Sequence, residues 1–261
     1  MTLLLSLSIL PVVLLLVFIY YQDKYEKEPL GSLALAFFGG ILSIPLDFLL
    51  VAIVNGLVYS DSIFYSAFIE AGFCEELSKF IILFLFIWWN KNFNEYMDGI
   101  VYAAFVGLGF GFVENFLYVF QAGSASFGAG ITTGIVRALL SVPGHFLFAV
   151  VMGYFFSLAK FSEKGRFGYL MASLLVAALG HGLFDWLLMI NNNIEPVLGL
   201  ILFAVFLAGD ILLWKLGVKY IRRHQENSPF KDNPPQNPTG QAPYADEPEY
   251  KRIDWNAGDK R

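Results

Sequence analysis

The residues of this chain best equipped for chemistry are Glu75, Glu76, Lys79, Glu114, Arg137, His145, His181 and Asp185, and all fall in stretches otherwise apolar enough to cross a membrane. An Asp, Lys or Arg at the centre of a spanning helix costs roughly 2.5 to 3.5 kcal/mol on insertion scales, so such a set calls for a functional reason. Carboxylates and imidazoles together can take a proton from water, and nearby cations steady a developing anion. That combination is the equipment of a hydrolase.

Spacing sorts these residues into groups. In Glu75-Glu76-Leu77-Ser78-Lys79, an α-helix sets Glu75 and Lys79 on one face and rotates Glu76 by about 100°. Glu75 then reads as a general base, Glu76 as the residue that orients water or a partner, and Lys79 as the balancing cation. Gly107 and Gly111 have the small-xxx-small spacing of close helix packing, while Glu114 and Asn115 add a carboxylate and an amide. Arg137, Ser141 and His145 follow at one-turn intervals, and Pro143-Gly144 loosens the helix just before His145. His181 and Asp185 stand at i and i+4, where an aspartate can fix the tautomer of an imidazole. Two Glu and two His can also ligate Zn²⁺, with Glu75, His145 and His181 the ligands if a metal is used, although no His-Glu-x-x-His helix occurs. Asp47, Glu70 and Asp210 read as snorkelling or locally paired bystanders.

The elements that position these groups follow from composition. With 57% apolar and 17% aromatic residues among 261 and a mean hydropathy of +0.60, the chain reads as a polytopic membrane protein. A net charge of -5 leaves no basic face for nucleic acid. The single cysteine, Cys74, excludes an intrachain disulfide and reads as a small core filler. Residues 2–20 lack a basic n-region and a cleavage site, so they are expected to stay as a first span. Further apolar stretches at about 31–58, 62–89, 98–121, 131–159, 167–190 and 196–221 bring the expected count to seven.

Loops after the first, third, fifth and last spans carry Lys or Arg, whereas those after the second, fourth and sixth carry none. The positive-inside rule therefore places the N-terminus outside and the C-terminus in the cytoplasm. On that topology Glu75, His145, His181 and Asp185 lie roughly 8 to 21 Å below the outer surface. From His224 onward, six of the eleven prolines and few aliphatic residues mark a disordered tail. The expected fold is thus an all-α polytopic bundle of about seven transmembrane helices around an intramembrane polar site. Its membrane domain covers 1–223, and a cytoplasmic tail covers 224–261.

Taken in order, Glu75-Glu76-x-x-Lys79, Gly111-Phe112-x-Glu114-Asn115, Arg137 with His145, and His181-x-x-x-Asp185 resemble the PrsW intramembrane proteases. That group is related to type II CAAX prenyl endopeptidases and bacteriocin-processing membrane proteases, and the resemblance covers about 62–190. It implies cleavage of a single-span membrane protein, an anti-sigma factor cut first on its extracytoplasmic side in stress signalling. It also implies Glu75 and Glu76 as the catalytic pair, with His145 beside them and His181 and Asp185 near the scissile carbonyl. Lys79, Glu114, Asn115 and Arg137 are then supports, no cofactor is used, and a glutamate-activated water is the nucleophile. In the related endopeptidases an amide residue completes the oxyanion hole with a His; here Asp185 stands in that place, either protonated or orienting His181. Two other readings of the same residues are an ion- or proton-coupled transporter, for which no repeated half is visible, and a non-catalytic scaffold.

Overall fold

Each apolar run becomes helical because backbone in hydrocarbon must satisfy its own N–H and C=O groups. A computed structural model describes residues 1–190 and 194–232. Its helices are α1 (Thr2–Gln22), α2 (Leu30–Leu57), α3 (Ile63–Tyr65), a π-helical segment (Ser66–Glu75), α4 (Glu76–Ile87), α5 (Tyr96–Ala125), α6 (Phe127–Leu139), α7 (Ser141–Phe161), α8 (Arg166–Ile190) and α9 (Pro196–Glu226). With α3, the π segment and α4 forming one rod, and α6 and α7 another, seven rods run through the described residues. Six of them are long and apolar enough to span a membrane; the seventh, over 63–87, is divided by its π segment.

The α-helical spacing expected across 62–89 is interrupted over Ser66–Glu75. Ser66–Glu75 is wound with the wider i→i+5 hydrogen bonding, a form that occurs mostly as short bulges at functional sites. This segment packs closely on α8: a Cβ on Gly72 would lie 2.7 Å from the Ala178 carbonyl oxygen, and one on Gly182 would press on the Phe68 ring. Only glycine lets the two backbones approach so closely.

The expected break before His145 is present, and it falls at Leu140. Pro143 has no N–H to donate, and its ring crowds the preceding turn, so α6 ends at Leu139 and α7 restarts at Ser141. α5 starts with a reciprocal capping box between Glu95 and Asp98.

α5 and α7 form the centre of the bundle, with α1, α2 and α6 against α5 and with α8 and α9 against α7. The small-residue pair expected to aid packing does so: a Cβ on Gly107 would lie 2.6 Å from Ala149 Cβ, and one on Gly111 3.1 Å from the His145 ring. α9 is peripheral, with 11% of its most apolar window buried, which suits a lipid-facing helix. It runs three residues beyond the expected domain boundary at 223, and His224 and Gln225 are buried against the bundle. The stretch expected to form a disordered tail lies outside the described residues from 233 onward.

Candidate active site

Lys79 stands at the centre of the polar cluster. Its ammonium lies 3.1 Å from Glu75 Oε2, 2.8 Å from Glu76 Oε1 and 3.4 Å from His145 Nδ1, and 3.9 Å from the Phe110 ring centroid. Three N–H donors thus meet three acceptors and a ring face. The expectation that Glu76 turns away from the Glu75–Lys79 face is corrected here. Both carboxylates converge on Lys79, because residues three and four apart are both neighbours on a helix surface and Glu76 and Glu75 precede Lys79 by three and four.

Glu76 also faces His181 Nδ1 at 2.9 Å, while Glu75 is 4.0 Å from the same nitrogen. Glu75 is the more open carboxylate, its side chain 13% exposed against 1% for Glu76. On its other side, His181 Nε2 is 3.5 Å from Asp185 Oδ2, the i,i+4 pair expected. Phe148 stacks on the His181 ring at 4.7 Å and fixes its plane.

His145 is held in the same way from α5. Its Nε2 lies 2.6 Å from Glu114 Oε2, and Arg137 caps the same oxygen at 2.9 Å. Arg137 Nε donates to Asn115 Oδ1 at 3.2 Å, and Asn115 Nδ2 in turn donates to the Leu7 and Ser8 carbonyls of α1. Each imidazole therefore has one ring nitrogen directed at the Glu75–Glu76–Lys79 centre and the other at a carboxylate. The two rings meet edge to face at 5.3 Å.

A cavity of about 200 Å³ opens onto this arrangement, lined by Glu114, Arg137, His145, His181 and Asp185 with Phe148 and Phe184 among its walls. Glu75 and Glu76 do not line it; they face His181, which does. The sequence brings all eight ionisable groups to one place, together with Asn115. One further acid, expected to be a bystander, stands beside them. Asp47 on α2 is 7% exposed, has an Oδ1 without a hydrogen-bond partner, and interacts electrostatically with Lys79, Glu114, His181 and Glu76. It is no snorkelling bystander, and its mid-span place after Pro45 was the available signal. Glu70 behaves as expected, accepting from Asn55 Nδ2 at 2.8 Å.

The same centre offers a metal donor set. Glu75, Glu76, His145 and His181 each bring one ligand atom within 4.8 Å of the others. Two carboxylates and two imidazoles, with Glu114 and Asp185 behind the histidines, match zinc chemistry and its outer carboxylates. The residues fit such an ion, in competition with the Lys79 ammonium, which faces three of the four donor residues.

A family described as PrsW family intramembrane metalloprotease matches residues 28–209. The chain is 39% identical over 207 residues to Protease PrsW of Geobacillus kaustophilus, covering 78% of this chain and 88% of that one. It is 35% identical to Protease PrsW of Clostridioides difficile, over 85% of this chain and 91% of the relative. For Protease PrsW of Bacillus subtilis the identity is 38%, over 72% and 84%. No solved structure matches. The matched stretch contains every element of the polar cluster, and the chain belongs to the PrsW family of intramembrane proteases.

Proposed function

We propose that this protein makes the first, extracytoplasmic cut in a single-span membrane protein, an anti-sigma factor, and so starts release of a stress-response sigma factor. The protease part of this reading rests on family membership. The observation that carries the chemistry is the convergence of Glu75, Glu76, His145 and His181 beside a cavity within the membrane bundle. In the proposed reaction Glu75, the more open carboxylate, takes the proton of the attacking water. Glu76, held between Lys79 and His181, positions it. His181 and His145 supply hydrogen bonds at the scissile carbonyl, and Asp185 orients His181. Glu114 and Arg137 hold His145 in place. A cavity of 200 Å³ suits small side chains at the scissile bond. Purified protein in nanodiscs, mixed with a single-span substrate, is expected to release a defined fragment. Glu75→Gln and His181→Ala should each abolish release while the chain stays folded, and retained cleavage in both sinks the assignment.

A second reading is favoured by the donor set itself. Glu75, His145 and His181 would hold a zinc ion, which when bound supplies an acidified water and a polarised carbonyl. Chelator-treated protein that keeps full activity supports the metal-free reading. One equivalent of zinc per chain, lost together with activity, supports the other.

A further inference from the structure

A second group of acids lies at the far end of α5. Asp98 precedes Glu114 by 16 residues on that helix, roughly 24 Å along its axis. Around it gather Glu95 and, from the loop between α1 and α2, Asp23, Glu26 and Glu28, all of them buried. Glu26, Glu95 and Asp98 each bring one carboxylate oxygen within 4.8 Å of the others.

Their hydrogen bonding is incomplete in a specific way. Asp98 Oδ2 accepts from the backbone N–H groups of Asn94 and Glu95 at 2.8 and 2.7 Å, and the Glu95 side chain accepts from the α5 backbone in return. That capping box uses one oxygen of each acid. The others, Asp98 Oδ1 and Glu95 Oε2, are buried without a hydrogen-bond partner, and so is Glu26 Oε2. These three side chains are 0, 1 and 3% exposed, so water does not repay the lost solvation. The cations of the same loop do not repay it either: Lys24 is exposed, and the Lys27 ammonium donates to the Tyr20 and Asp23 carbonyls and lies over the Tyr20 ring. Glu28 accepts from the Tyr102 hydroxyl and also meets Asp98, while Asn94 meets Glu26 and Ser228 meets Glu95.

We propose that Glu26, Glu95 and Asp98 form a site for a hard divalent cation, Mg²⁺ or Ca²⁺, that ties the 23–29 loop to the start of α5. Three carboxylates and no nitrogen or sulfur donor select such an ion over zinc. Burial pushes the Glu26 and Glu95 carboxyls up to about 8 and the Asp23 carboxyl up to about 7, the cost that a bound cation removes. The site is structural and independent of the intramembrane cluster. It links α1 and α2 to the helix that carries Glu114.

The test uses the full chain in nanodiscs after EDTA dialysis, with Tb³⁺, Ca²⁺ and Mg²⁺ as probes. Tyrosine-sensitised Tb³⁺ luminescence should saturate and be displaced by Ca²⁺ or Mg²⁺, and either ion should raise the melting midpoint by about 5 °C. Glu26→Gln, which leaves the α5 capping box intact, should lose both responses. A His145→Ala/His181→Ala variant should keep them. If the wild-type chain gives no saturable Tb³⁺ signal, the acids share protons and the proposal is overturned; this measurement stands even if a variant does not fold. Responses unchanged in Glu26→Gln, or lost only in the histidine variant, overturn it as well, by placing the ion elsewhere.

Discussion

At the level of single residues, Lys79 sets the charge balance of the intramembrane site. It faces Glu75, Glu76 and His145 at once, so Lys79→Met leaves two buried carboxylates without their ammonium. Removing one partner of a buried ion pair costs about 3–5 kcal/mol. A denaturation series should show a loss of that size, and a loss under about 1 kcal/mol would mean that the carboxylates are compensated by other groups. Asp47 makes a subtler case. Its carboxylate acts on four members of the cluster without bonding to them, so Asp47→Asn should keep the fold and displace the pH–rate profile of cleavage. An identical profile returns Asp47 to the status of a packing residue.

At the level of elements, two departures from regular α-helix shape the site. The π segment ends at Glu75, and the α6–α7 break at Leu140 lies five residues before His145. Pro143→Ala restores a backbone donor and favours one straight helix through 127–161, which would rotate His145 away from Glu114. Since misplacement of a catalytic group by about 1 Å can cost 100-fold, a fall of about that factor in kcat with an unchanged melting point is expected. Equal activity would show that the break does not set the His145 position. The α1–α2 loop carries its own prediction. Burial, joined for Glu26 by repulsion from Asp23, raises the Glu26 and Glu95 carboxyls from 4.5 to about 8, so the folded chain keeps protons that the unfolded chain has released. Stability of the cation-free protein should therefore fall as pH rises from about 4.5 through about 8. Urea unfolding across that range measures it, and a flat profile removes these acids from the balance.

At the level of the whole molecule, α5 and α7 form a core that carries Glu114, Asn115 and His145, the π segment, α4, α6 and α8 bring the other site residues to it, and α9 stays at the periphery. The charge pattern of the loops predicts which end of this bundle faces out. Single cysteines placed at Asp61 and Lys164, in a Cys74→Ala background, report it with a membrane-impermeant maleimide on intact cells. Labelling at 61 and protection at 164 is the expected result, and the reverse pattern inverts the topology. The same orientation puts the acidic group around Glu26 and Asp98 on the cytoplasmic side, where divalent cations reach it without crossing the membrane.

The helices and the identity of the site were legible in the sequence because both depend on local cost. Apolar runs of spanning length have one stable form in hydrocarbon, and an ionisable residue inside such a run stands out whatever its neighbours are. Glu75, Glu76, Glu114, His145, His181 and Asp185 could all be named for that reason. Tertiary structure decided their arrangement. Which of the two glutamates meets His181 depends on how the π segment and α4 pack on α8. The part played by Asp47 depends on α2 packing beside a rod that begins six residues after α2 ends. The acids of the α1–α2 loop show the same limit most clearly. In the sequence Asp23, Glu26 and Glu28 are ordinary loop charges, and only the docking of that loop onto the start of α5 buries them beside Glu95 and Asp98. Burial, which determines what a carboxylate costs and what it can bind, belongs to the packed molecule and not to the residue.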